Sequence, residues 1–312
     1  MKFSVIIPTH NRVVYLKEAI LSVLNQQNID LEIVVIDNAS TDGTDVMMRV
    51  FESNSIVKYI QNEVNIGMIQ NWSKALYEKC DGDWIMILSD DDSLIDDLYL
   101  SKAEKLIKNN DNMVLVHANR IVASETIEDR VSRNLPKICE GIWMFEHYLE
   151  DYQNMFTFVT GIFKKEIAYK VNAFKTFDVV GSDTMEFLKI SLYGKVGFID
   201  DFVAKYRIHE DNPYFRFGID YILTTNIETF EAPYREARKL KIFEDKMLLD
   251  WKKRLITQYI ESNLREILLK GNGNFNLLIE YIRKSLKLYP YCWFVFFKPK
   301  VIFRIFTYRF KK

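Results

Sequence analysis

Apolar positions at the start of the chain fall into short runs, each closed by a polar cluster and followed by residues at helical spacing. Phe3 to Ile7 is a β-branched run stopped by Pro8. Thr9, His10, Asn11 and Arg12 come next, and then Val13 to Gln27, with Leu16, Ile20, Val23 and Leu24 on one side. Leu31 to Ile36 repeats the strand pattern and closes in Asp37 to Thr44, after which Asp45 to Glu52 reads as a helix. Ile56 to Ile60 predicts a third strand, Met68 to Lys79 a helix, Asp81 to Asp83 a turn, and Trp84 to Leu88 a fourth strand. Such runs, bounded by turn residues and alternating with helices, predict a parallel sheet.

The fourth strand carries the strongest chemical signal. It is apolar from Trp84 to Leu88, as suits a strand covered on both faces, and then runs through Ser89 into Asp90, Asp91 and Asp92. Ligands of open α/β sheets gather beyond the carboxyl ends of the strands. Adjacent carboxylates repel one another and favour a hard cation, Mg²⁺ or Mn²⁺. Taken alone, the triplet could equally be a solvated turn or a helix cap. Asp37 ends the second strand, where an acid can accept a hydrogen bond from a base or ribose, and Gly67 allows a special dihedral before the next helix.

Beyond the triplet, Asp97 to Asn109 predicts a helix, and Met113 to His117 and Arg120 to Ala123 two strands, with His117 a packed histidine. Residues 124–140 suit a mobile loop over the site. Trp143 to Tyr152 reads as a helix, and Phe156 to Phe163 as a strand broken at Thr160 and Gly161. Val180 to Leu188 leads into a helical run ending at Tyr193, and Val203 to Asn212 is a strand and its exit. Three helices follow, over about 216–240, 244–270 and 274–288, separated most clearly at Gly271 to Gly273.

With 312 residues, 48% hydrophobic, the chain can bury a full core, and we expect a large domain over 1–215, a helical appendage over 216–288 and a tail over 289–312. A net charge of −1 conceals an asymmetry: residues 281–312 hold nine Lys or Arg and no acid, leaving 33 basic against 43 acidic residues before them. Cys80, Cys139 and Cys292 have neither metal-site nor disulfide spacing, and the opening apolar run is short for a signal peptide, so a reducing cytoplasm is expected. No apolar stretch reaches the about 18 residues of a spanning helix. The tail alternates aromatic and aliphatic residues with Lys and Arg. It predicts a segment lying in a membrane interface, the alternative being a terminus packed on the helices with its basic residues solvated.

Four segments in order resemble family 2 glycosyltransferases of the GT-A fold, of the type that builds bacterial surface polysaccharides. They are Ser4 to Arg12, Ile36 to Thr44, Asn62 with Asn65 and Gly67, and the acids after Leu88. The resemblance covers residues 1–212. It implies a Rossmann-like mixed sheet flanked by helices, with a nucleotide site at Pro8, Thr9, Asn11, Arg12, Asp37, Asn65, Gly67 and Asp90. It further implies a metal held by Asp91 and His209, an acceptor segment at Thr160 and Gly161, Arg207 near the diphosphate, and Asp183 as catalytic base. Ser89 and Ser182 depart from the family pattern. Aligned on Leu88, Asp91 is the direct metal ligand, with Asp92 the alternative; read literally as Asp-x-Asp, Asp90 and Asp92 form the pair.

By that resemblance the chain is expected to be an inverting glycosyltransferase. It would use a nucleotide-diphosphate sugar, UDP-linked before dTDP-linked, Mg²⁺ or Mn²⁺, and a saccharide acceptor, lipid-linked at the inner face of the membrane, with no nucleic-acid partner. A sugar-1-phosphate nucleotidyltransferase is the rival enzyme, though Thr9 to Arg12 lacks the Gly-rich loop it needs. A binding module that has lost turnover is the rival from another class.

Overall fold

The computed structural model describes residues 1–124, 128–132, 134–152, 155–175, 179–208, 218–270, 274–299 and 301–303. β1 (Lys2–Thr9), α1 (Val13–Leu24), β2 (Asp30–Asp37), α2 (Thr44–Met48), β3 (Val57–Gln61), α3 (Met68–Lys74) and β4 (Trp84–Ile87) follow the predicted rhythm. Pro8 does not end β1. Ile6 accepts the Leu88 N–H, and Pro8, two residues on, points the same way beyond the last β1–β4 pair, so its missing donor breaks no ladder bond.

The chain continues through β5 (Ser93–Leu94), α4 (Tyr99–Lys108), β6 (Met113–Ala123), β7 (Glu128–Val131), β8 (Ile138–Glu140), α5 (Gly141–Glu146), β9 (Ile162–Lys164), α6 (Lys165–Lys170), α7 (Ser182–Ser191) and β10 (Lys195–Arg207). The sheet order is β3-β2-β1-β4-β9-β6-β10-β5, with β7 on β6 and β8 on β10. β3, β2, β1 and β4 are parallel; β9 is antiparallel to both β4 and β6, which makes the sheet mixed. Phe3, Val5 and Ile7 of β1, Ile33 and Val35 of β2, and Trp84 and Met86 of β4 pack with α1 and α4 in one core.

Three expectations change. Residues 113–123 are one strand, because the polar His117, Asn119 and Arg120 are buried in it rather than turning the chain. The stretch from Phe156 is not a strand up to Gly161. Phe158 to Thr160 forms a 3-10 turn that sends Phe158 into contact with Trp72, Phe174 and Phe187, and only Ile162 to Lys164 pairs in the sheet. The segment expected as a mobile loop contributes β7 and β8 to the sheet.

The chain divides into two compact units, residues 1–178 with 182–212, and residues 179–181 with 213–312. In the second, α8 (Glu228–Leu240), α9 (Asp245–Lys270), α10 (Phe275–Leu288) and α11 (Trp293–Phe296) enclose their own core, in which Ile256, Ile260, Leu278 and Tyr281 meet Cys292, Val295 and Phe296. The start of the tail is therefore structural, while Trp293, Phe294, Phe297 and Phe303 stay 58, 44, 63 and 69% exposed. No helix among the described residues is long and apolar enough to cross a membrane.

Candidate active site

β2 and β3 lie on one side of β1 and β4 on the other, so the strand order reverses at β1, and the crevice beyond its carboxyl end is the place where such sheets bind ligands. A cavity of about 320 Å³ lies there. Pro8, Thr9, Arg12, Asn65 and Asp90, all expected at the nucleotide site, line it. His10, Asn38, Met68, Asn71, Trp72 and Ser89 line it as well, and sequence reading had given them no role.

The polar wall is an asparagine network. Asn38 donates to Asn65 Oδ1 at 2.7 Å and accepts the Ile66 N–H at 2.9 Å; Asn62 donates to Asn71 Oδ1 at 2.7 Å, and Asn71 donates to the Ile36 carbonyl at 3.0 Å. Gly67 stands at φ 89° and ψ 159°, a conformation that only glycine adopts readily, and its N–H caps Asn65 Oδ1 at 2.9 Å. Asn11, itself at φ 55°, stays out of the lining. It ties the loop after β1 to the loop after β2, its N–H reaching Ser40 Oγ at 2.9 Å and its Oδ1 taking the Thr41 N–H at 2.8 Å.

Asp37, expected at the nucleotide site, makes its contacts within the loops. It is fully buried and outside the cavity lining, and it accepts Ser40 N–H at 2.8 Å, Tyr59 O–H at 2.6 Å and Gln61 Nε2 at 3.2 Å. Its carboxylate organises the loop after β2. Gly161 likewise serves packing. A Cβ there would lie 2.3 Å from Cζ of Phe187, so its bare backbone makes room for that ring, while Thr160 is buried with its carbonyl on Tyr99 O–H at 2.5 Å.

The three acids are buried and face different ways. Arg12 Nη1 lies 2.7 Å from Asp91 Oδ2 and 3.2 Å from Asp90 Oδ1. Burial pushes the Asp90 carboxyl up to about 6 in spite of Arg12. Asp92 turns away to accept the Arg207 N–H at 2.8 Å, and burial, then Asp91, raise it well above the carboxylate range. The Arg207 guanidinium clamps both oxygens of Glu18 at 3.1 and 3.0 Å and covers the Tyr15 ring, so it is not directed at the cavity. Among the described residues no three carboxylate, imidazole or thiol groups converge as a protein cage for a metal. Asp90 Oδ2 is nonetheless buried without a hydrogen-bond partner, beside the Asp91 carboxylate. That donor set fits a cation bound by one or two carboxylates and completed by substrate phosphates and water. His209 lies outside the described residues.

Asp183 sits in the first turn of α7, part-buried, its Oδ1 on the Thr184 N–H at 2.7 Å. Burial pushes its carboxyl up to about 6, against Thr184 and the positive charge of Arg120. Arg120, buried on β6, feels both Asp183 and Asp92; Tyr206 of β10 is raised to about 12 by burial and by the same two acids, and Tyr148 meets Thr184. Sequence reading missed Arg120, Tyr206 and Tyr148, because polar residues on strands, as the first two are, or in the helical turn that opens at Tyr148 carry no local mark of what the fold brings near them.

A crevice where the strand order of a mixed sheet reverses, edged by buried acids, defines an α/β protein with a ligand site of the kind such sheets carry. The chain belongs to glycosyl transferase family 2, whose model matches residues 4–176. It is 41% identical over 101 residues, 31% of its length and 30% of the relative's, to abequosyltransferase RfbV of Salmonella typhimurium. It is 33% identical over 126 residues, 40% of each chain, to the GalNAc(5)-diNAcBac-PP-undecaprenol beta-1,3-glucosyltransferase of Campylobacter jejuni. The match thus spans less than half of either relative. The fold is shared with TarS residues 1–349 of S. aureus, solved with UDP-GlcNAc, at a TM-score of 0.69 and 17% identity, over 99% of this chain and 90% of that one. The expected GT-A architecture is therefore the one present.

Proposed function

We propose that the chain transfers a sugar from a nucleotide-diphosphate sugar to a hydroxyl of a saccharide acceptor, with inversion. The observation that carries this reading is the β1–β4 crevice, where the loop after β1, the asparagine network and Asp90 after β4 line one cavity of nucleotide-binding size. Thr9, Asn38 and Asn65 supply polar contacts for the nucleotide, and Arg12 the positive charge for its diphosphate. Asp91, with Asp90 beside it, would hold Mg²⁺ or Mn²⁺; Asp92 is engaged with β10. A cation there would offset charge on the departing diphosphate.

Asp183 takes the proton of the acceptor hydroxyl while that oxygen bonds to the anomeric carbon. The bond from that carbon to the diphosphate oxygen breaks, and the diphosphate leaves with the electron pair. A single displacement from the opposite face inverts the configuration. UDP as carrier is supported by the UDP-GlcNAc complex of the similar fold, and a lipid-linked acceptor by the undecaprenol in the Campylobacter relative's name. The test is release of nucleoside diphosphate from UDP- and dTDP-sugars with Mn²⁺, with and without saccharide acceptors. Acceptor-stimulated release supports transfer; nucleotide binding with no release under any pairing supports a binding module instead.

The reading includes peripheral contact with an anionic leaflet, at the inner face of the cell membrane, through residues 289–312. It is supported by exposed Trp293, Phe294 and Phe297, which touch one another, in a stretch rich in Lys and Arg. Deleting the segment would remove Val295 and Phe296 from the core, so the variant to use replaces Trp293, Phe294 and Phe297 by Ser. Loss of sedimentation with anionic liposomes at unchanged melting temperature supports the contact, and unchanged sedimentation overturns it.

A further inference from the structure

Arg12 is placed in a way that transfer chemistry alone does not require. One of its nitrogens serves two carboxylates at once, Asp91 at 2.7 Å and Asp90 at 3.2 Å, and the three groups differ in accessibility: the Arg12 side chain is 33% exposed, those of Asp91 and Asp90 12 and 6%. The cation is therefore on the solvent side of the pair, and Arg12 also lines the cavity. Its main chain is fixed, because its carbonyl accepts the N–H groups of Tyr15 and Leu16 at 3.1 Å each and the preceding Asn11 is held by Ser40 and Thr41.

We propose that Arg12 is the resident counter-cation of the empty donor site, and that arrival of a nucleoside diphosphate draws it off Asp91 and opens that carboxylate to a divalent cation. This rests on the donor-site reading above. Adjacent buried carboxylates need positive charge nearby, and Arg12 supplies it to Asp90 and Asp91. A divalent cation takes carboxylate oxygens at about 2.0–2.1 Å for Mg²⁺, and a guanidinium 2.7 Å from Asp91 Oδ2 repels a second positive charge there and lowers its affinity until Arg12 moves. The diphosphate offers Arg12 another anionic partner with paired oxygens, so the forked guanidinium exchanges one oxyanion for another. Nucleotide and cation then bind with positive coupling, and by reciprocity each strengthens the other by the same factor.

The experiment is titration of Mn²⁺ followed by the electron paramagnetic resonance of the free ion, on the full chain, with and without UDP, for wild type, Arg12→Ala and Arg12→Gln. The latter two are both neutral at position 12, and either decides if the other fails to fold by circular dichroism. With Arg12 gone, Mn²⁺ alone should bind about tenfold tighter than in wild type, and the gain from adding UDP should shrink by a similar factor, within the usual range of coupling between sites. Unchanged or weaker Mn²⁺ binding in the variants overturns the proposal. Failure of the donor-site reading looks different: UDP then neither binds wild type by calorimetry nor alters its Mn²⁺ titration.

Discussion

Replacing Asp183 by Asn should separate two properties that usually fall together. Burial raises this carboxyl from 3.8 to about 6, so the folded protein holds its proton more tightly than the unfolded chain does. The sign follows: below about pH 3.8 the group has no effect on stability, between 3.8 and 6 a penalty grows as the buried acid ionises, and above about 6 the penalty is complete. Two pKa units at 1.36 kcal/mol each make it at most about 3 kcal/mol. Asn imitates the protonated acid and can still accept the Thr184 N–H, so at pH 8 the variant should be more stable by up to that amount, a rise of several degrees in melting temperature for a protein of this size.

Turnover should fall by about 10²–10⁴-fold, the scale of a lost general base, with UDP affinity little changed. In wild type kcat/KM should climb tenfold per pH unit up to about pH 6 and then level, a limb that Asn abolishes. The assays are calorimetric melting and acceptor-dependent UDP release, each at pH 5 to 8. A variant that loses melting temperature and turnover together would make Asp183 a helix-start acid and refute the base assignment.

Glu32 is held at about 2: burial would raise it, but Lys58, Ser4, the Asp81 N–H and Lys2 outweigh burial. Its contribution of about 3 kcal/mol is present above about pH 4.5 and is lost as pH falls towards 2, and denaturant midpoints of Glu32→Gln should therefore lie below wild type at pH 7 and converge with it in acid. Gly161→Ala should destabilise by about 1–3 kcal/mol through its clash with Phe187, read by chemical denaturation; an altered acceptor KM at unchanged stability would restore the acceptor role. Asp91→Asn should abolish Mn²⁺-dependent UDP binding in calorimetry with the fold intact. Asp92→Asn can still accept the Arg207 N–H and removes a buried charge, so it should keep Mn²⁺-dependent UDP binding without loss of melting temperature, and the opposite pattern in binding would make Asp92 the ligand.

Much of the first unit was legible because its signals are local. Period and punctuation mark β1 to β4, and the turn after each strand lies next to it in sequence, so Thr9, Arg12, Asn65 and Asp90 could be expected on one edge before any packing was known. What the sequence does not show depends on distant partners. Asp37 looks like a ligand group until Tyr59 and Gln61, more than 20 residues on, take its oxygens. Gly161 looks like room for a substrate until Phe187 fills it. Phe156 to Thr160 has strand composition, yet its aromatic side chains are drawn into a cluster with Trp72 and Phe187 and the backbone curls to follow them. Arg120 and Tyr206 reach the acids only because β6 and β10, far apart in the chain, run side by side.

The central claim is that the crevice between the carboxyl ends of β1 and β4 binds a nucleoside diphosphate. A crystal structure of the chain with UDP and Mn²⁺ tests it most directly. The account predicts nucleotide density against Pro8 to Arg12, Asn38, Asn65 and Asp90, with Arg12 moved from Asp91 to the diphosphate. Nucleotide bound at any other place, or this crevice empty in crystals grown with millimolar UDP and Mn²⁺, would contradict it.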